Sequence, residues 1–159
     1  MPPRGHVPIG DNGVAMNLHH MLNERATTGR PLRVALIGAG KFGAMYLAQA
    51  KHTPGIHVVA VADLAPARAK ASLARTGWPA ERCGARTLAA AGRSGTTCVT
   101  DDALAAIAAP EVEIVIDATG SPSAGIRHAL ACCAHGKHVV MVNVEADALA
   151  GPLLAQRAR

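Results

Sequence analysis

The sequence predicts an α/β fold, a doubly wound parallel sheet with helices on both faces, and three observations lead to it. From Pro31 onward, short runs rich in Val, Ile and Ala alternate with apolar stripes at helical spacing, the pattern of successive βαβ units. Several runs are nearly continuous rather than alternating with polar residues, as expected of strands covered on both faces. Helical stripes begin just past the ends of runs, at Thr, Ser or Gly positions suited to helix starts, so these starts gather at one edge of the sheet.

The elements follow in chain order. Residues 1–15 are rich in Pro and Gly without any period and read as a loose extension; residues 16–159 form the domain. Leu18, Met21 and Leu22 make an i, i+3, i+4 stripe before Gly29-Arg30-Pro31, which predicts a short helix docked on the domain. Five strands are expected, at Leu32–Ile37, Ile56–Ala62, Thr97–Thr100, Val112–Asp117 and His138–Val142, where β-branched content argues against buried helix. Phe42, Met45, Tyr46 and Ala50 are expected to pack one helix on the sheet, and Ile126, Ala129, Leu130 and Cys133 another. Thr100 is the expected cap of the helix that begins at Asp101 and Asp102. Ser121 caps the next, with Pro122 at its first position.

Composition narrows the function classes. At 159 residues, 50% of them hydrophobic and 17% charged, the chain makes one folded domain. Its aromatics are only Phe42, Tyr46 and Trp78, so Val, Ile, Leu and Ala must fill the core. The formal charge of +5 comes from scattered basic residues without interleaved aromatics, which argues against a nucleic-acid partner. The densest basic stretch holds Arg68, Lys70, Arg75, Arg82, Arg86 and Arg93 against Glu81 alone; it reads either as a wet helix face or as a field that attracts an anion. No run has the length of a membrane span and no secretory signal opens the chain, so a cytoplasmic location and no membrane partner are expected. Cys83, Cys98, Cys132 and Cys133 lack a C-x-x-C spacing, which predicts free thiols and no metal site.

The chemistry sits at the strand ends. Gly38-Ala39-Gly40-Lys41-Phe42-Gly43 follows the first strand and opens a helix, and Asp63 ends the next strand twenty residues after Gly43. A G-x-G-x-x-G string alone is permissive; in this context it is the dinucleotide fingerprint of a Rossmann-type sheet. Gly38 allows the tight turn, Gly40 lets a diphosphate approach the backbone, and Gly43 lets helix meet strand. Lys41 and Phe42 complete the loop, whose free amides face the phosphates. Asp63 is suited to a ribose 2′-hydroxyl, so NAD is the expected cofactor, while Arg68 five residues on keeps NADP open. Thr119 and Gly120, after the fourth strand, are expected beside the cofactor, although a plain capped turn also explains that segment. Asn143 and Glu145 leave the fifth strand at the same edge. Asn143 is a further cofactor contact, and Glu145 the candidate acid or base, with a helix-dipole partner as its alternative role. Lys137 and His138 belong to the opposite edge, and His128 and His135 read as surface residues.

On these residues the chain resembles the amino-terminal domain of the homoserine-dehydrogenase-like oxidoreductases, especially the group whose longer members carry an SAF domain. The matching segments are Leu36-Ile37-Gly38-Ala39-Gly40-Lys41-Phe42-Gly43, Asp117-Ala118-Thr119-Gly120-Ser121-Pro122, and Lys137-His138-Val139-Val140-Met141-Val142-Asn143-Val144-Glu145-Ala146-Asp147. The resemblance implies an NAD(P)-dependent oxidoreductase acting on a small polar carbonyl or alcohol. Where related enzymes carry a lysine after the fifth strand, this chain has Asn143 and Glu145. A sixth strand and a substrate domain are not reached by Arg159, so the expected fold is cut short after the fifth strand. Two functions follow as expectations: the cofactor domain of a hydride-transferring enzyme, or a dinucleotide-binding regulatory module without turnover. A homo-oligomer paired through the fifth-strand edge is expected in either case.

Overall fold

The computed structural model describes residues 17–159; the extension expected over residues 1–15 lies outside the described residues. Helix α1 (Leu18–Thr27) leads into β1 (Leu32–Ile37), α2 (Lys41–Ala50), β2 (Ile56–Ala62) and α3 (Pro66–Arg75). A 3-10 turn at Ala80–Cys83 precedes α4 (Leu88–Ser94), β3 (Cys98–Thr100), α5 (Ala103–Ala108), β4 (Ile114–Asp117), α6 (Pro122–Ala134), β5 (His138–Met141) and α7 (Val144–Arg157). The five strands form one sheet in the order β3-β2-β1-β4-β5, and every pairing is parallel. The order reverses between β1 and β4, which opens a crevice at their carboxyl ends.

Strand residues alternate between two cores because successive side chains leave a strand on opposite faces. Ala35, Ile37, Val59 and Val115 pack with Ala91, Ala106, Ile107 and Cys132 on one face. Val34, Leu36, Val58 and Val61 pack with Leu47, Ala50, Ala69 and Leu73 on the other. A register shift at Val34/Ala35 skips Val59 in the pairing with β2. The doubly wound parallel sheet is therefore the architecture that the near-continuous apolar runs anticipate.

Four local expectations are corrected. The buried face of α2 is Gly43, Leu47 and Ala50, with Phe42 and Met45 exposed, because the small Gly43 and Ala50 bring the backbone against the sheet where a Phe would not fit. The buried face of α6 is likewise the small-residue stripe Gly125, His128, Ala129 and Cys132, while Leu130 is exposed. Asp102, not Thr100, caps α5: its Oδ1 accepts from Ala105 N at 2.8 Å, and the Thr100 hydroxyl accepts from Asp102 N instead. Finally, Leu18 and Met21 of α1 are exposed and no α1 residue is buried. That helix meets the domain through its Leu22 backbone, against which a Cβ at Gly55 would collide. Strand limits move by one or two residues, to Cys98 for β3, Ile114 for β4 and Met141 for β5.

Close backbone packing joins the start of α2 to the end of β1. A Cβ on Gly43 would overlap the Gly38 carbonyl, and Leu36 Cδ2 would lie 3.5 Å away. Gly43→Ala is therefore expected to cost about 1–3 kcal/mol through overpacking, read as a fall in the thermal or urea midpoint; unchanged midpoints would contradict this packing.

Candidate functional site

The carboxyl ends of β1, β2 and β4 and the starts of α2, α5 and α6 enclose a cleft of about 440 Å³ lined by Gly38, Gly40, Asp63, Arg68, Thr119 and Gly120, among others. That volume lies in the range of small-molecule sites. Its floor is the β1–α2 turn. Gly38 turns at a φ of 95°, donates its N–H to Ala62 O at 2.8 Å, and passes so close to β4 that a Cβ would meet Ala118 O. Ala39 is held at both ends of its peptide: its N–H reaches Asp63 Oδ2 at 2.8 Å, and its carbonyl accepts from the Ser72 hydroxyl at 2.9 Å. The first backbone bond of α2 runs from Ala44 N to Gly40 O, which leaves the amides of Lys41, Phe42 and Gly43 without helical acceptors. Lys41 and Phe42 are exposed beside them.

Gly40 differs from its two partner glycines. A Cβ there would meet nothing within 4 Å, and its φ of −70° is open to any residue. Neither turn geometry nor packing within the chain requires glycine at this position. The space beside it, in front of the helix N-terminus, is where an anion would be held by amides and helix dipole together. Gly120 is equally unobstructed.

Asp63 ends β2 with its side chain only 1% exposed. Oδ1 accepts from Ala65 N at 2.9 Å and Arg68 Nη2 at 2.7 Å, while Oδ2 accepts from Ala39 N and Arg68 Nε. Burial pushes this carboxyl up, but the two amides and the guanidinium outweigh it and hold the pKa below the ordinary value. Arg68 thus covers the carboxylate, with 61% of its own side chain exposed to the cleft mouth. Arg68 is at once a largely solvated helix residue and a lining residue of the cleft.

A second buried carboxylate escaped the sequence reading. Asp117, at the end of β4, is fully buried; its Oδ2 lies 2.6 Å from His128 Nδ1 and its Oδ1 accepts from the Thr119 amide and hydroxyl at 3.1 and 2.7 Å. Burial again raises the pKa, and the bonds from His128 and Thr119 more than reverse it, leaving the carboxyl below its usual range. His128, expected on the surface, is buried. The signal was present in Gly125, His128, Ala129 and Cys132 at i, i+3, i+4 and i+7, a stripe set aside for the bulkier Ile126, Leu130 and Cys133.

The network continues into α7. Asn143 Nδ2 donates to the Thr119 hydroxyl at 3.1 Å and to Ser121 O at 2.8 Å, and its Oδ1 accepts from Ala146 N, capping α7. Both its N–H groups and its Oδ1 are engaged within the protein and it is 2% exposed, so it secures the 118–121 loop instead of reaching into the cleft. Glu145 sits exposed in the first turn of α7 and makes no ion pair with a described residue. Lys137 donates to Ala109 O and Val112 O at the opposite edge of the sheet. The four cysteines are free thiols, and burial pushes that of Cys132 up to about 12, aided by Cys133 and Asp117. Among the described residues no cluster of His, Cys, Asp or Glu could hold a metal ion, and no helix is long and apolar enough to cross a membrane.

Breaking the Asp117–His128 pair by Asp117→Ala is expected to cost about 3–5 kcal/mol, since a buried polar ring loses its partner; retained stability in urea would contradict that arrangement. The sign with pH follows from the lowered pKa of Asp117. The unfolded chain binds more protons there in acid, so the stabilisation is present above the ordinary carboxyl pKa of about 3.9 and is lost as pH falls through the lower folded value. Asp117→Asn should accordingly flatten the acid limb of the stability profile.

Comparison with known proteins agrees with this geometry. An oxidoreductase from Klebsiella pneumoniae that binds NAD superposes with a TM-score of 0.58 at 22% identity, over 81% of this chain and 32% of that one. A homoserine dehydrogenase from Thiobacillus denitrificans gives 0.62 at 23%, over 80% and 27%. The myo-inositol dehydrogenase of Lactobacillus casei, solved with NAD(H) and myo-inositol, gives 0.59 at 16%, over 80% and 33%. These likenesses establish the fold, and the chain spans about a third of the length of the solved chains it matches. No curated protein matches it. Residues 32–141 match the oxidoreductase family with an NAD-binding Rossmann fold, GFO_IDH_MocA, and the chain belongs to that family.

Proposed function

We propose that this chain is the cofactor-binding domain of an NAD(P)-dependent oxidoreductase that acts on a small polar carbonyl or alcohol, with the substrate held by parts outside residues 16–159. The observation that carries the reading is Gly40, whose missing side chain leaves empty space in front of unpaired helix amides. In this reading Gly38, Gly40, Lys41, Phe42 and Gly43 hold the diphosphate, and Asp63 takes the adenosine ribose by exchanging its bonds from the exposed Arg68 side chain for bonds from the ribose hydroxyls. Thr119 and Gly120 border the nicotinamide side, and Asn143 contributes by fixing their loop. Bound NAD supplies the hydride-accepting carbon; the chain binds, orients and shields it. Glu145 is the acid or base candidate at the start of α7. Among family members we assign the chain, on the segments around Lys137–Asp147, to the homoserine-dehydrogenase-like, SAF-bearing group, and to the cytoplasm.

A second reading, a dinucleotide-binding module without turnover, draws on the exposure of Glu145, which no described group orients. For either reading the outer edge of β5 is the place of association with a second copy, because β5 ends the sheet and leaves a row of backbone groups unpaired. Sedimentation equilibrium should show a dimer, and a monomer at high concentration would contradict it.

Gly40→Val tests the cofactor reading directly. Its stability is expected to fall by no more than about 1 kcal/mol, the cost of a poorer helix cap, since the new side chain enters open space. Its affinity for NAD should fall at least about tenfold, some 1.4 kcal/mol. Calorimetry that finds full affinity in this variant, or none in the parent, overturns the reading. Arg68 adds a specificity prediction, because an ion-paired Asp63 repels a 2′-phosphate less than a bare one. Arg68→Ala should weaken NADP relative to NAD by about tenfold; an unchanged ratio would contradict it.

A further inference from the structure

We propose that the amino-terminal edge of the sheet carries a second binding site, for a small organic carboxylate with a planar apolar body. The site lies at the far end of β2 from the cofactor cleft and does not depend on the cofactor reading.

A cavity of about 420 Å³ opens at that edge, close in volume to the cofactor cleft. Lys51 at the end of α2, His52 in the loop that follows, His57 in β2, Trp78 after α3 and Arg82 in the 3-10 turn all line it. From His57 to Asp63 the strand rises about 20 Å, so one ligand does not fill both sites. Of the basic stretch between Arg68 and Arg93, Arg68 serves the cleft and Arg82 this cavity.

The charge of the cavity is one-sided. No acidic residue is among the described residues that line it, whereas Lys51 and Arg82 each bring a full positive charge. Opposing them are the carboxyl-terminal ends of α2, α3 and α4, each equivalent to about half a negative charge. Two carbonyls just past these helices already have donors: Lys51 Nζ donates to Thr76 O at 2.6 Å, and His57 Nε2 to Thr96 O at 2.8 Å. Two whole charges outweigh those partial ones, and the balance favours an anion. An ammonium has three N–H groups, so Lys51 retains donors beyond its bond to Thr76. Arg82 is exposed and makes no ion pair with a described residue, its chain neighbour Glu81 included. Its backbone is fixed, since its N–H donates to Pro79 O at 2.9 Å and its carbonyl accepts from Thr97 N at 2.7 Å. The guanidinium fork is matched to the two oxygens of a carboxylate.

Trp78 adds the selectivity. Its ring is half-buried against the core, and its Nε1 donates to Leu47 O at 3.0 Å, which pins the indole in place. A fixed aromatic wall beside Pro31 and Pro54 favours a flat apolar body over a compact inorganic ion.

The test uses the single tryptophan of the chain, whose one indole N–H resonance reports on the cavity. Benzoate titrated into the whole chain at constant ionic strength is expected to shift that resonance saturably. Acetate has the charge without the ring and benzamide the ring without the charge; each should bind at least about fivefold more weakly than benzoate. Arg82→Gln changes an exposed side chain, and should weaken benzoate at least about fivefold with the thermal midpoint unchanged. Saturating NAD should leave the benzoate affinity as it was. Absence of a saturable shift, acetate or benzamide binding as well as benzoate, or full affinity in Arg82→Gln each overturns the proposal without touching the cofactor reading. Displacement of benzoate by NAD assigns the carboxylate to the cofactor cleft and overturns it too. A chain that binds benzoate in this way but no NAD upholds the second site and overturns the cofactor reading alone.

Discussion

The carboxyl edge of the sheet depends on how closely the start of α2 is pressed onto the end of β1. A helix can present free amides to a ligand only if its first turn is held still and unscreened. Here Gly43 permits contact with the Gly38 carbonyl, and the Ala39 peptide between them is clamped by Asp63 on one side and Ser72 on the other. The amides of Lys41, Phe42 and Gly43, which have no helical acceptors, are thereby held in place by packing and by these hydrogen bonds. The clamp borrows groups from the end of β2 and from α3, so the shape of the loop depends on both.

Two buried carboxylates frame that loop, and each does structural work. Asp63 holds Ala39 and Ala65 while pairing with Arg68, so a residue suited to ribose recognition is also part of the loop's scaffold. Asp117 ties β4 to α6 through His128 and, by way of Thr119 and Asn143, to the cap of α7. A carboxylate buried this deeply is tolerated because both of its oxygens find donors. The consequence is rigidity on the β4 side of the cleft to match that on the β1 side.

The strand edges and the loop were legible in the sequence because they rest on short-range rules. A Val/Ile run identifies a two-sided strand, and three glycines at fixed spacing before a helix, with Asp63 one strand later, identify the fold. Ser121-Pro122 was read correctly as a helix start for the same reason: a cap depends on two or three neighbouring residues. The faces of α2 and α6 were misread because apolar size was taken as the guide to burial, whereas close helix-to-sheet approach selects Gly, Ala and a paired His and turns Met45 and Leu130 outward.

What the amino-acid sequence by itself determined about this protein is its parallel α/β architecture, its glycine-loop signature and the edge at which the cleft lies, since each follows from periodicity or from spacing within about thirty residues. Tertiary structure alone decided that Arg68 covers Asp63, that Ser72 clamps Ala39, that Asn143 is a strut, and that His128 meets Asp117. These are contacts between residues of different elements, set by where the helices settle on the sheet. A polar side chain joins such a network only when packing removes it from water, and no local pattern in the chain records that.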